Sequence, residues 1–264
     1  CLKTLAWNCM KAYPNVKINL GLSILRRRPD GFHDIETLFV PYHGLRDELE
    51  ILVSDAPEDR IYLEGGDWDA RTDLSFRAVR MLREDFDFPA VDIRLVKHVP
   101  AGAGLGGGSA DAAFALRIVN DMFALGLDDE ALACYASRLG SDCAFFVYDR
   151  PMFGEGRGEI LSECDIDLED FRIELRIPEG VHVSTRDAYS KVVPREYSPG
   201  RMPLREALSL PVERWKDVMV NDFEPSVFAA WPQVGEEKRR LYAEGAVYAS
   251  MSGSGSAVFG IFRK

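Results

Sequence analysis

The chain has 264 residues, 47% of them hydrophobic and 28% charged, with a formal net charge of -11. That balance excludes a low-complexity or fibrous chain and supplies core material for one large domain or two modest ones. It offers no bulk attraction to nucleic acid or an anionic membrane, and no apolar run reaches membrane-spanning length.

The opening stretch CLKTLAWNCMKAYPN lacks an apolar segment followed by a small-residue cleavage site, so no secretory signal is expected. Next, NVKINLGLSIL alternates as a strand: Val16, Ile18, Leu20, Leu22 and Ile24 fall on a core face, Lys17, Asn19, Gly21 and Ser23 on the other. Arg26, Arg27 and Arg28 lead into the turn Pro29-Asp30-Gly31 and read as solvated turn residues. ETLFVPYHG and DELEILVSD read as strands, and DLSFRAVRMLRED as a helix with Leu74, Ala78, Met81 and Leu82 on one face. AVDIRLVKHVP is a further alternating strand ending at Pro100.

A glycine-rich run, AGAGLGGGS, follows at once, and Ser109 is expected to cap the helix carrying Ala112, Ala113, Leu116, Val119, Asn120 and Phe123. DDEALACYASRLG makes another helix, ending at Gly140. A second half starts near Phe153, with a strand at FRIELRIPEG and a helix at STRDAYSKV. Val193 to Leu210 reads as a loop-rich excursion, FEPSVFAAWPQV and GEEKRRLYAEG as helices interrupted at Pro232. AVYASMSGSGSAVFGIF closes as strand, small-residue turn and strand.

Cys1, Cys9, Cys134, Cys143 and Cys164 have no CxxC spacing, so free thiols in a reducing compartment are expected. His33, His43, His98 and His182 are scattered and form no zinc pattern, and no metal ligand is assigned. The glycine run is bounded by a strand and a helix, which argues against a linker. Helix-start N–H groups lack internal partners and the helix dipole favours negative charge there, so strand, glycine loop and helix start can hold phosphate. Tight packing of helix on sheet would use the same glycines. No G-K-[ST] follows, so the loop is not a Walker A motif, and it does not open a Rossmann unit.

The full phrase PAGAGLGGGSADAA resembles the phosphate-binding motif of the GHMP kinases, the superfamily of galacto-, homoserine, mevalonate and phosphomevalonate kinases. Its GLGGGSADAA form is most similar to the branch acting on 4-diphosphocytidyl-2-C-methyl-D-erythritol. YPNVKINLGLSILRRRPDGFHDIETLF, LGSDCAFFVYDRPMFGEGRGEIL, VHVSTRDAY and MSGSGSAVFGIF resemble other segments of that branch, in order, from Pro14 to Phe262. The resemblance implies an α+β GHMP kinase fold. Residues 1–152 would form an N-terminal domain like ribosomal protein S5 and residues 153–264 a ferredoxin-like C-terminal domain, with the active site in the cleft between them.

It further implies ATP-dependent phosphorylation of the acceptor's 2-hydroxyl with Mg2+. A monomer or weak homodimer is expected; the absent targeting features and free cysteines point to a cytoplasmic protein, and the charge balance to no nucleic-acid or membrane partner. By the same resemblance Lys17 and Asp142 act at the acceptor hydroxyl. Pro100, Gly102, Gly104, Leu105, Gly106, Gly107, Gly108 and Ser109 hold the nucleotide's phosphates. Asn19, Phe32, His33, Thr185 and Tyr189 line the acceptor side. Phe32 stands where the family commonly has Tyr, and Asp73 where it often has Asn before a helix that frames the nucleotide. On the residues alone, Lys17 could be a solvated lysine and Asp142 an element cap. A homoserine- or mevalonate-type kinase and a non-catalytic nucleotide-binding protein are the alternative functions.

Overall fold

Alternating apolar positions and well-placed caps give the elements their bounds. The computed structural model describes residues 8–194 and 201–264; Cys1 and residues 195–200 of the expected excursion lie outside them. In chain order the elements are β1 (Cys9–Ala12), β2 (Asn15–Arg27), β3 (His33–Arg46), β4 (Glu48–Val53), β5 (Arg60–Glu64), α1 (Leu74–Asp85), β6 (Val91–Val96), α2 (Gly107–Phe123), α3 (Asp129–Leu139) and α4 (Cys143–Tyr148). There follow β7 (Met152–Glu155), β8 (Ile160–Glu163), β9 (Phe171–Arg176), α5 (Thr185–Lys191), α6 (Leu204–Leu208), α7 (Val212–Val218), α8 (Glu224–Ala230), α9 (Pro232–Ala243), β10 (Tyr248–Met251) and β11 (Val258–Arg263).

The chain divides into two compact units. The first comprises the segment up to Val16 with Pro41–Pro100 and Gly106–Arg150. Its sheet has the order β1-β4-β6-β5, antiparallel except for the parallel β5–β6 pair. Period-2 alternation puts Leu49, Ile51, Val91, Ile93 and Leu95 on one face, all buried, and α2 packs on this sheet. Ala78, Val79 and Leu82 of α1 and Ala112, Leu116 and Val119 of α2 are buried where the helices of this unit pack together. Asp73 and Asp128 cap α1 and α3 by accepting from Ser75 N and Ala131 N.

The second unit comprises Lys17–Val40, Ala101–Leu105 and Pro151–Lys264. It contains the antiparallel sheet β10-β11-β9, and most of the sheet β2-β3-β7-β8. Its core gathers Leu22, Ile24, Ile35, Phe223, Val227, Val234, Leu241, Met251 and Phe262. Helix α9 covers β10 and β11, and Pro232 opens α9 at a position where its missing N–H costs nothing.

Four readings change. Helix α2 begins at Gly107 with Gly106 as its cap, so Ser109 lies inside the first turn. All of β2 from Asn15 to Ile24 is buried, its polar positions included, because those side chains bond inside the protein. Arg26 and Arg28 are ion-paired rather than simply solvated. Part of the loop-rich excursion, Leu204–Leu208, is helical.

Candidate active site

The glycine loop is built for a close turn and a bare helix start. Gly102, Gly104 and Gly106 have φ of 72°, 75° and 73°, a region that side chains disfavour. Gly106 caps α2 without any side-chain hydrogen bond, so the loop ends on the open N–H groups of a 17-residue helix. Pro100 to Leu105 lead into it. Ala257 N donates to the Ala103 carbonyl at 3.1 Å, pinning the loop to the small-residue turn after β10. An added Cβ on Gly104 would overlap the Ser252 carbonyl oxygen, so backbone meets backbone here.

Beside that contact sits Lys17, 3% exposed. Its ammonium donates to Asn19 Oδ1 at 2.5 Å and to the Gly104 carbonyl at 3.1 Å, and lies 5.4 Å from the Phe39 ring centroid. Asn19 Nδ2 donates to Thr37 Oγ1 at 2.9 Å, and Thr37 Oγ1 donates in turn to the Gly21 carbonyl at 2.7 Å. The chain of donors fixes which way the Asn19 amide points, leaving its oxygen to face the ammonium. Ser252 Oγ donates to the same Gly104 carbonyl at 3.0 Å. The Gly104 carbonyl therefore holds Lys17 and Ser252 together, and Asn19 holds the same ammonium.

Asp142 belongs to the other unit, where it precedes α4. Its neighbour Cys143 is buried against Ser109 of α2, which hydrogen-bonds the thiol; burial nonetheless pushes that thiol up to about 12. Asp142 and the first turn of α2 are thus linked through Cys143. Behind the same turn lies a buried ion triad. Lys97 pairs with Asp47 and, at 2.5 Å, with Asp111; the three side chains are 5%, 0% and 0% exposed. Asp47 Oδ1 also accepts from His98 N at 2.6 Å and Val99 N at 2.8 Å, so the triad joins the strand entering the loop to the helix leaving it. Burial pushes Asp111 up to about 8 against the pull of Lys97.

The second unit brings His33 onto Tyr189, rings stacked at 5.0 Å, with Tyr189 edge-on to Phe223. Burial, then the charge of Arg27, pulls the His33 imidazole below its ordinary value, which keeps it neutral near pH 7. Phe32 is 53% exposed and lies under the Arg157 guanidinium at 5.0 Å; its ring does not join the His33–Tyr189 stack. Thr185 opens α5, which Ser184 caps, and shares a hydrogen bond of 3.2 Å with Ser254.

Sequence reasoning overlooks several supporting residues. Ser252 sits in a motif noticed for its glycines, yet its hydroxyl holds the loop carbonyl. Asn221, 2% exposed, donates to the Met251 and Gly253 carbonyls at 2.8 Å each and accepts from Phe223 N, fixing the small-residue turn. Thr37, Asp47 and Lys97 carry no periodic signal, since their partners lie far off in the chain.

A glycine loop opening a bare helix start fits the GHMP kinases, and the relatives of the chain place it among them. Residues 73–150 match the family described as GHMP kinases N terminal domain. The chain is 48% identical over 257 residues to 4-diphosphocytidyl-2-C-methyl-D-erythritol kinase of Bacteroides fragilis, covering 96% of this chain and 92% of that protein. It is 44% identical over 261 residues to the kinase of the same name from Porphyromonas gingivalis, covering 97% and 93%. The crystal structure of a 4-(cytidine 5'-diphospho)-2C-methyl-D-erythritol kinase superposes with a TM-score of 0.78 at 32% identity, covering 95% of this chain and 89% of that one. A homoserine kinase from Cytophaga hutchinsonii shares the fold, with a TM-score of 0.72 at 17% identity over 100% of this chain and 88% of that one. The chain belongs to the 4-diphosphocytidyl-2-C-methyl-D-erythritol kinase family.

Proposed function

We propose that the chain transfers the γ-phosphoryl group of ATP to the 2-hydroxyl of 4-diphosphocytidyl-2-C-methyl-D-erythritol, giving the 2-phosphate and ADP. The observation that carries this reading, beside family membership, is a buried lysine ammonium resting on a carbonyl of the phosphate loop itself.

In this reading Asp142 takes the proton of the acceptor hydroxyl as its oxygen bonds to phosphorus and the bond to the β–γ bridging oxygen breaks. Lys17 offsets the charge that develops, and Asn19 holds Lys17 in place. Pro100, Gly102, Gly104 and Leu105 shape the loop, and the N–H groups of Gly106, Gly107, Gly108 and Ser109 hold phosphate oxygens. The bare cap of α2 and the left-handed glycines before it fit that role. Mg2+ entering with ATP would neutralise phosphate charge, with the Ser109 hydroxyl the oxygen donor of this chain offered to it.

Neutral His33 reads a cytosine edge, which a ring nitrogen can do as donor or acceptor, while Tyr189 and Phe32 supply ring surface and Thr185 lines the acceptor side. The same reading divides the chain at 152/153 and has it work as a cytoplasmic monomer or weak homodimer. The test is steady-state turnover of Lys17→Met and Asp142→Asn with native-like circular dichroism. A fall in kcat of at least about 100-fold with KM for ATP retained is expected. Turnover near that of the unmodified chain in either variant would overturn the assignment of that residue.

A further inference from the structure

The hairpin carrying His33 sorts its three arginines by face. Arg28 N donates to the Phe32 carbonyl at 2.8 Å where β2 turns into β3, which places Arg27 opposite His33 and Arg26 opposite Asp34. The Arg26–Asp34 ion pair at 2.5 Å has that register. Residues directly opposite share a face of the sheet, and neighbours along a strand do not. Arg26 and Arg28 therefore fall on the face of Asp34, and both pair with it; Arg28 also takes Asp30 at 3.0 Å. Arg27 falls on the other face with His33. Position 25 is Leu, 31 is Gly and 35 is Ile, so the hairpin offers Arg27 no acid there. Among the described residues Arg27 is exposed and has no carboxylate partner.

An arginine left unpaired beside a base-reading histidine, on a chain of net charge -11, is a cation reserved for something that arrives from outside. A guanidinium matches phosphate oxygens bidentately. We propose that Arg27 is a specificity-determining residue that binds the diphosphate of the nucleoside-diphosphate acceptor whose base His33 reads. This rests on the base-site assignment of the preceding section.

Calorimetric binding of cytidine and of CDP to the full chain separates the two contacts. The unmodified chain binds CDP more tightly than cytidine. Arg27→Gln narrows that preference by about tenfold and leaves cytidine binding unchanged, Arg27→Lys restores part of it, and added salt weakens CDP binding less in the variant. His33→Ala weakens both ligands. An unchanged CDP-to-cytidine ratio in Arg27→Gln, with His33→Ala still weakening both, overturns the role of Arg27 and leaves the base site standing. Binding of both ligands unaltered in His33→Ala overturns the base site, and Arg27's role with it.

Discussion

Replacing Gly104 by Ala tests whether backbone packing shapes the glycine loop and the phosphate site proposed there. The residue has φ of 75°, where a side chain costs about 1–2 kcal/mol. The new Cβ would also overlap the Ser252 carbonyl and approach Gly255 N and O at 3.0 and 3.1 Å. All three atoms are backbone and cannot rotate aside, so the loop or the turn must move. Any such movement pulls on the Gly104 carbonyl, which accepts from Lys17 at 3.1 Å and Ser252 at 3.0 Å. Each of these bonds is worth about 1 kcal/mol, which brings the expected loss to about 3–4 kcal/mol. A displacement on the scale of an ångström at the phosphate site lowers kcat/KM for ATP by about 100-fold. Gly126→Ala is the control, since its φ of 80° imposes the same backbone strain with nothing within 4 Å of the added Cβ. Urea denaturation and initial rates on both variants decide the matter. If Gly104→Ala loses no more stability than Gly126→Ala and keeps kcat/KM for ATP within about threefold, the packing argument fails.

Lys97→Met leaves the buried Asp47 carboxylate without its ammonium and the Asp111 carboxyl without its partner, and should cost about 3–5 kcal/mol in urea denaturation at pH 7; a loss below about 1 kcal/mol would remove the triad as a structural element. Asp111 has a folded-state value near 8, above its ordinary one, so the stability it lends is full below about 4 and fades as pH rises through 8. Asp111→Asn should therefore gain stability relative to the unmodified chain between pH 4 and 8, and a pH-independent difference would contradict the shift. Asn221→Ala leaves two buried carbonyls and the Phe223 N–H without their partner and should cost about 2–4 kcal/mol by the same assay, against under 1 kcal/mol if the turn holds without it.

The long, strongly periodic elements were legible because one buried face repeats along them, as in β6 and α1. The boundary of α2 was not. Hydroxyl side chains are the usual helix caps, which points to Ser109, but a left-handed Gly106 ends the loop first and leaves the helix start bare. Alternation along β2 marked one face as core and left the other open, because a strand pattern says nothing of a polar network that buries Lys17, Asn19 and Thr37. Strands β7 and β8 have four residues each, too few for a period to declare itself, and they form by pairing with β3 and with each other. The ion triad joins positions 47, 97 and 111, a contact that only tertiary structure makes. No local pattern singles out Lys17 and Asp142, which lie far apart in sequence; only the family motifs point to them, as proposed site residues.

The most direct test is ADP release with ATP and Mg2+ in the presence of 4-diphosphocytidyl-2-C-methyl-D-erythritol, homoserine or mevalonate in parallel, with Asp142→Asn alongside. Turnover with the cytidyl acceptor alone, abolished in the variant, is the predicted result. Turnover with homoserine or mevalonate instead, or ATP binding without turnover on any acceptor, would contradict the proposed activity.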